Sequence, residues 1–486
     1  MADFSKMKAA QGFFAPQRYE ADILDCETTG SIPSELDGAF MRLGGEWYYP
    51  PKFQDDAILN SDGHVSSFRF KNGRVSYKSR FVRTPRFEAN LKAGSQQFGY
   101  YRNPFTDEAS VSGLDRTVAN TTPFAFAGRL MALKEDGLPH LIDPNTLETV
   151  GRENWGGKYK GPTFTAHPKV DSDTGEMIAY GNEANGLAGD EVYVATIDKT
   201  GRLTHDTRFK VPYVSIMHDI ALTDKHIIFP FAGYVTSMER LKAGKIHWGW
   251  DNSKESYIGI LPRGAEGKDI RWFKGPLRCM MHTFHARTVG NKVIMEAPFY
   301  DGNFFPFFHN VDNSPWARDK AKGYLRRLTF DLSSKHDGWK EEILFPTPIV
   351  DIGAIDRRYL TRDQRYVFTG FTDDSKPFNV AQGGNLRGRI TNSYGRFDVK
   401  SGKMVSMFAG ETHSLSEACF VPRKGGDEGS GWIMGVASNF ANMNSELIIA
   451  DAERLGEGPI ARVVLPFRAA PQVHGTWVGG NELPFA

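Results

Sequence analysis

Hydrophobic residues in this chain come in short runs, apolar throughout or alternating with polar ones. Examples are RLMALKE (129–135), EVYVATID (191–198), HIIFPFAGY (226–234), SYIGILP (256–262), KVIMEAPF (292–299), YLRRLTFDL (324–332), GWIMGVAS (431–438) and ELIIADA (446–452). Runs of this length, rich in β-branched and aromatic residues and bounded by Gly, Pro and Asp, predict strands. Helical periodicity is scarce. SMERLKAG (237–244) predicts a short helix, and residues 90–99 predict a weaker one.

A loose repeat orders the strands. LIDPNTLETVG (141–151), KVDSDTGEMIAY (169–180), TIDKTGRLTHDTRF (196–209), TFDLSSKHDGWKEEILF (329–345) and RFDVKSGKMVSMF (396–408) each read strand, Asp, polar turn, strand. Asp, Ser and Thr bond their own turn backbone and Gly supplies positive φ, so each unit predicts a hairpin of the kind that closes the outer edge of a propeller blade. From Asp143 to Asp171 to Asp198 the spacing is 28 and then 27 residues, but from Asp331 to Asp398 it is 67, so insertions interrupt any strict period. Fifty glycines and 26 prolines, with no Pro/Ser-rich linker in 486 residues, favour one radial fold over an antiparallel sandwich. The expectation is an all-β propeller forming a single domain over 1–486, with loops and short helices as a cap.

Charge narrows the partners. Lys and Arg number 59 against 58 Asp and Glu, so no imbalance favours nucleic acid or an anionic membrane, and small neutral partners fit better. The three cysteines, Cys26, Cys279 and Cys419, form no CxxC pair and read as buried small hydrophobes in a reducing compartment. No stretch approaches the roughly 20 apolar residues of a spanning helix, and MADFSKMKAAQGFF does not read as a signal peptide. A cytoplasmic location is expected.

Four of the 13 histidines stand in apolar or tight-turn surroundings: His167 in TFTAHPKVD, His218 in SIMHDIAL, His282 in CMMHTFHA and His474 in PQVHGTW. Neutral imidazoles suit a borderline metal such as Fe(II), provided the fold brings such distant segments to one axis. A lone buried histidine is more often a satisfied core residue, so composition by itself does not select these four.

The segments IPSELDGAFMRLGGEW (32–47), NSDGHVSSFRF (60–70), RTVANTTPFAFAGRLMALKEDGLP (116–139), SEACFVPRKGGDEGSGWIM (416–434) and VHGTW (473–477) resemble, in order and spacing, the carotenoid cleavage oxygenase family, most closely its bacterial stilbene-cleaving branch. The resemblance covers nearly the whole chain. It implies a seven-bladed propeller holding one Fe(II) through His167, His218, His282 and His474. In CMMHTFHARTVGN, residues 282 and 285 would face opposite sides of a strand, so only His282 is expected at the axis. The resemblance also implies carboxylates on the outer ring nitrogens, matched by Glu135 and Glu417, with Asp351 at the third position. Aspartate is one methylene shorter, so a backbone shift or a bridging water is expected there.

In that branch Tyr101 in GYYRNP and Lys134 in MALKED resemble the pair that holds a substrate's 4-hydroxyl group, and Leu59, Thr121 and Phe305 are candidate lining residues. Leu59 occupies a position where relatives can carry Phe. A phenolate para to a vinyl group pushes electrons into the double bond, a handle that a hydrocarbon polyene does not need. The expected activity is cleavage by O2 of the central Cα=Cβ bond of a 4-hydroxystilbene into two aromatic aldehydes. Other readings are an apocarotenoid or phenylpropene (isoeugenol-type) substrate, a calcium-dependent propeller hydrolase, or a propeller that only binds a ligand or partner. A homodimer through a blade edge is also consistent with the sequence.

Overall fold

Seven antiparallel sheets close into a ring. The computed structural model describes residues 3–7, 11–383 and 390–485. Five blades are built from consecutive four-stranded sheets. Blade 2 begins with Thr122–Phe126, blade 3 with Lys169–Val170, blade 4 with Ala221–Leu222, blade 5 with His285–Val289 and blade 6 with Gly353–Ile355. Blades 1 and 7 are composite. Blade 1 joins the C-terminal strand Gln472–Gly479 to Gly38–Glu46, with Leu43 opposite His474, and blade 7 takes the N-terminal strand Glu27–Gly30 against Pro459–Val464. Each end of the chain thus completes a sheet made mostly by the other end, which leaves the ring no open seam.

The alternation in the sequence becomes two-faced packing. Arg74–Phe81 alternates between buried and more exposed positions along its length, whereas Asn444–Asp451 is buried at every residue. Where blades 1 and 7 meet, Phe68, Tyr77, Leu447, Ile449 and Val463 form one apolar cluster. All three cysteines are buried and unpaired.

Two sequence expectations change. The turns at Asp143, Asp198, Asp331 and Asp398 do join the two outer strands of their blades, but Asp171 joins the two inner strands of blade 3. The turn chemistry is the same at either place: the Asp143 carboxylate accepts from Asn145 N and Thr146 N at 2.9 and 2.8 Å, and that of Asp171 accepts from Asp173 N and Thr174 N at 2.7 and 2.9 Å. The 28- and 27-residue spacings therefore mixed two turn positions and were no blade period. The weaker helix runs over Pro85–Ala93, not 90–99: the Thr84 hydroxyl oxygen caps its start, accepting from Phe87 N, and Gly94 at φ +67° ends it. The other helix, Met238–Lys242, lies within the expected segment.

Above one end of the ring, connectors from several blades build an apolar cap. Ala57, Tyr101, Tyr234, Ile246, Trp248, Trp250, Tyr300 and Phe308 pack there with Ile216 and Met281, which lie two residues before His218 and one before His282. The cap sits over the histidine end of the axis.

Ring closure should be the stability-critical feature of the fold. Met41, fully buried on Gly38–Glu46 opposite Thr476, is expected on truncation to Ala to cost about 2–5 kcal/mol in denaturant unfolding. Met404→Ala, at a position 38% exposed, should stay within about 0.5 kcal/mol.

Candidate metal centre

One residue position recurs around the ring, just ahead of or within each blade's innermost strand. Thr121 precedes Thr122–Phe126 by one residue, His167 precedes Lys169–Val170 by two, and His218 and His282 precede their strands by three. Asp351 precedes Gly353–Ile355 by two, Glu417 precedes Cys419–Pro422 by two, and His474 is the third residue of the closing strand. The polar residues that the sequence scatters from Thr121 to His474 thus share one structural level.

His167, His218, His282 and His474 converge there, with their candidate ligand atoms all within 4.8 Å of one another. Their Nε2 atoms approach in sequence at 3.0 Å (167 to 218), 3.1 Å (218 to 282) and 3.2 Å (282 to 474). The opposite ring nitrogens face carboxylates: His218 Nδ1 meets Glu135 Oε1, His282 Nδ1 lies 2.6 Å from Asp351 Oδ1, and His474 Nδ1 lies 2.9 Å from Glu417 Oε1. A carboxylate only accepts, so these three Nδ1 atoms carry a proton, and in the neutral rings the three Nε2 atoms present bare lone pairs. Burial and the neighbouring imidazoles hold the His167 pKa well below its ordinary value, and burial lowers that of His474 against the pull of Glu417. Lone pairs this close repel unless a cation sits between them.

The spacing fits a metal ion. Ligand nitrogens about 2.1 Å from a metal and at right angles to one another lie about 3.0 Å apart, whereas tetrahedral ones lie about 3.4 Å apart. Five ring pairs (167 with 218, 282 and 474; 282 with 218 and 474) have centroids 4.6–4.8 Å apart, while His218 and His474 make no such contact. Five neighbouring pairs and one opposite pair describe an octahedron with two adjacent corners not supplied by the protein. Such a donor set can hold a divalent metal and leave room for two further small ligands.

Asp351 reaches His282 directly, without the bridging water that was one of the two expectations: it stands just ahead of the first strand of the next blade, close enough for the shorter side chain. Its Oδ2 has no hydrogen-bond partner among the described residues. His285 turns away from the axis, its Nε2 2.6 Å from the Arg362 carbonyl oxygen and its Nδ1 3.6 Å from Glu296. His282 itself lies ahead of the strand, so local backbone direction separates the two, rather than strand alternation.

Lys134 and Tyr101 come together beside the centre. Lys134 is 4% exposed, with Nζ 3.6 Å from Glu135 Oε2 and 5.3 Å from the Tyr101 ring centroid. Burial opposes its charge, but the facing Tyr101 oxygen and the Glu135 carboxylate outweigh that and raise its pKa above the ordinary lysine value. Burial pushes the Tyr101 hydroxyl up to about 12, with Lys134 acting in the opposite sense. Leu59 and Phe305 lie half-buried against the same cap cluster as Tyr101. Thr121 is buried, with its hydroxyl 3.3 Å from Asn120 Oδ1.

Sequence reasoning missed the clamp behind Tyr101. His247 donates its backbone N–H to the Tyr101 carbonyl at 3.2 Å and contacts the Arg102 carbonyl through Nδ1 at 3.0 Å. Glu183 holds both the Arg102 guanidinium and His247 Nε2, the latter at 3.1 Å. Arg102 and Glu183 adopt positive φ, 53° and 54°, which no local residue pattern announces.

The chain matches the protein family described as "RPE65: Retinal pigment epithelial membrane protein" over residues 14–479. It is 38% identical to lignostilbene-alpha,beta-dioxygenase isozyme III of Sphingomonas paucimobilis, covering 100% of both chains. It is also 38% identical to isoeugenol monooxygenase of Pseudomonas putida, over 97% of this chain and 98% of that one. The crystal structure of Pseudomonas brassicacearum lignostilbene dioxygenase superposes with a TM-score of 0.94 at 33% identity, covering 98% of this chain and 99% of that one. No helix among the described residues is long and apolar enough to cross a membrane.

If the carboxylates orient the imidazoles, Asp351→Ala should weaken metal affinity about 10- to 100-fold in a chelator competition. Affinity equal to that of the unaltered chain would show that the 2.6 Å contact to His282 does not tune the site.

Proposed function

The chain belongs to the RPE65/carotenoid cleavage oxygenase family and is an alkene-cleaving dioxygenase, and from that premise we propose that it cleaves the central Cα=Cβ bond of a 4-hydroxystilbene into two aromatic aldehydes, with Fe(II) held by His167, His218, His282 and His474. Fe(II) there supplies the binding and activation of O2. Four neutral imidazoles leave the metal's charge uncompensated, and Glu135, Asp351 and Glu417 answer it through the ring N–H groups.

The observation that carries the substrate assignment is the buried ammonium of Lys134. A lysine 4% exposed requires a partner, and Glu135 at 3.6 Å is already engaged with His218 through its other oxygen. A phenolate oxygen would supply that partner. Lys134 then donates to the substrate's 4-oxygen and holds it as the anion, and the neutral Tyr101 hydroxyl donates a second hydrogen bond to the same atom. The electron pair released by the phenolate enriches the para alkene, which makes it nucleophilic toward activated oxygen. Leu59, Phe305 and the surrounding cap rings keep water from the apolar part of the substrate, and Thr121 borders it from blade 2. A propeller that only bound a partner would have no need of four converging imidazoles.

A phenylpropene is the second reading, favoured by the equal identity to isoeugenol monooxygenase. The products separate the two, because a stilbene yields two aromatic aldehydes and a phenylpropene only one.

Turnover of 4-hydroxystilbene under ¹⁸O2 is expected to give two aromatic aldehydes, each carrying one labelled oxygen. Lys134→Ala should lower kcat/KM by roughly 10- to 160-fold, the loss of about 1.5–3 kcal/mol from one charge-assisted contact, with metal content unchanged. An unchanged kcat/KM would exclude the handle, and turnover confined to phenylpropenes would transfer the assignment to the second reading.

A further inference from the structure

Three of the four imidazoles are oriented by a carboxylate on Nδ1. Among the described residues no carboxylate reaches the His167 ring. The segment that carries His167 is held in another way. Lys169, two residues on, places Nζ 2.8 Å from Asp219 Oδ1 and 2.9 Å from Oδ2.

Asp219 directly follows His218 and is 1% exposed. Its Oδ2 also accepts the Thr283 backbone N–H at 2.8 Å and lies 2.9 Å from the Thr283 hydroxyl, whose single proton serves either this carboxylate or the Ile220 carbonyl at 2.7 Å. Oδ1 accepts the Ile220 N–H at 2.7 Å. Thr283 directly follows His282. One buried carboxylate therefore gathers the segments that bear three ligands, from blades 3, 4 and 5.

We propose that Asp219 is a positioning residue that fixes the mutual spacing of His167, His218 and His282. The inference rests on the reading that these histidines hold a metal. Charge-assisted hydrogen bonds in a water-poor interior are short and directional, so an ammonium and a backbone N–H sharing one carboxylate lock their segments together. The bracket differs in kind from Glu135, Asp351 and Glu417. Lys169 pairs with Asp219, and the pair binds the segments beside the ligands rather than the imidazole rings themselves. It secures the ligand that has no carboxylate of its own, and a metal site needs its donors held to about 0.5 Å.

The test is a titration of the metal-free full chain with Co(II), following affinity and the visible d–d spectrum of the bound ion. Asp219→Asn should bind Co(II) roughly 10- to 100-fold more weakly, with a shifted spectrum. Glu446→Gln removes another buried carboxylate, in blade 7, paired with Arg462 at 2.9 Å, and should leave both readouts as in the unaltered chain. If Asp219→Asn does not fold, Lys169→Met, which cuts only the arm to the His167 segment, carries the same expectation. Wild-type affinity and spectrum in whichever variant folds would overturn the bracket. An unaltered chain that binds no Co(II) would overturn the metal reading itself, and the bracket with it.

Discussion

Three imidazole lone pairs, with a fourth ring beside them, are pointed into one small volume and given no proton to share. That constraint governs the centre. The carboxylates on His218, His282 and His474 place a ring proton on each outer nitrogen, so these three rings, when neutral, have no hydrogen bond to offer one another. A cation between them would relieve the crowding, and the 3.0–3.2 Å approaches match nitrogens at right angles around one.

The propeller is the scaffold that makes such crowding attainable. Seven inner strands start near one axis, and each offers a residue at about the same level: four imidazoles, two carboxylates and one threonine. Carboxylate and imidazole on neighbouring blades then meet directly, as Asp351 and His282 do. Ring closure belongs to the same arrangement. The strand that seals blade 1 carries His474, and Glu417 grips that strand twice, at the ring and at the Gly475 N–H at 2.6 Å. Closing the fold and completing the site are one event.

Much of this was legible in the sequence, for local reasons. KVIMEAPF is a strand over the same residues in the structure, because its pattern and its boundaries agree. The Asp turns were legible as turns but not as places in a blade, since the same backbone chemistry serves the inner and outer hairpins. The helix over Pro85–Ala93 was misplaced although Thr84, Pro85 and Gly94 supply its start and stop signals. The four converging histidines were singled out by neighbouring residues and by family likeness, as periodicity alone cannot choose among 13. The Asp219 bracket and the Arg102–Glu183–His247 clamp escaped notice. Each depends on contacts between segments tens of residues or more apart, and the clamp also depends on left-handed backbone at residues that do not require it.

The proposed electrostatic plan has two zones: a cationic metal that carboxylates would answer, and next to it a buried ammonium that would take an anionic oxygen of the substrate. The second presupposes the first, because Glu135 belongs to both. Anomalous diffraction at the iron edge, from crystals of anaerobically purified protein, tests the whole arrangement most directly. The account predicts one peak among the Nε2 atoms of His167, His218, His282 and His474. An iron-replete crystal with no peak there, or with its peak elsewhere, would contradict it.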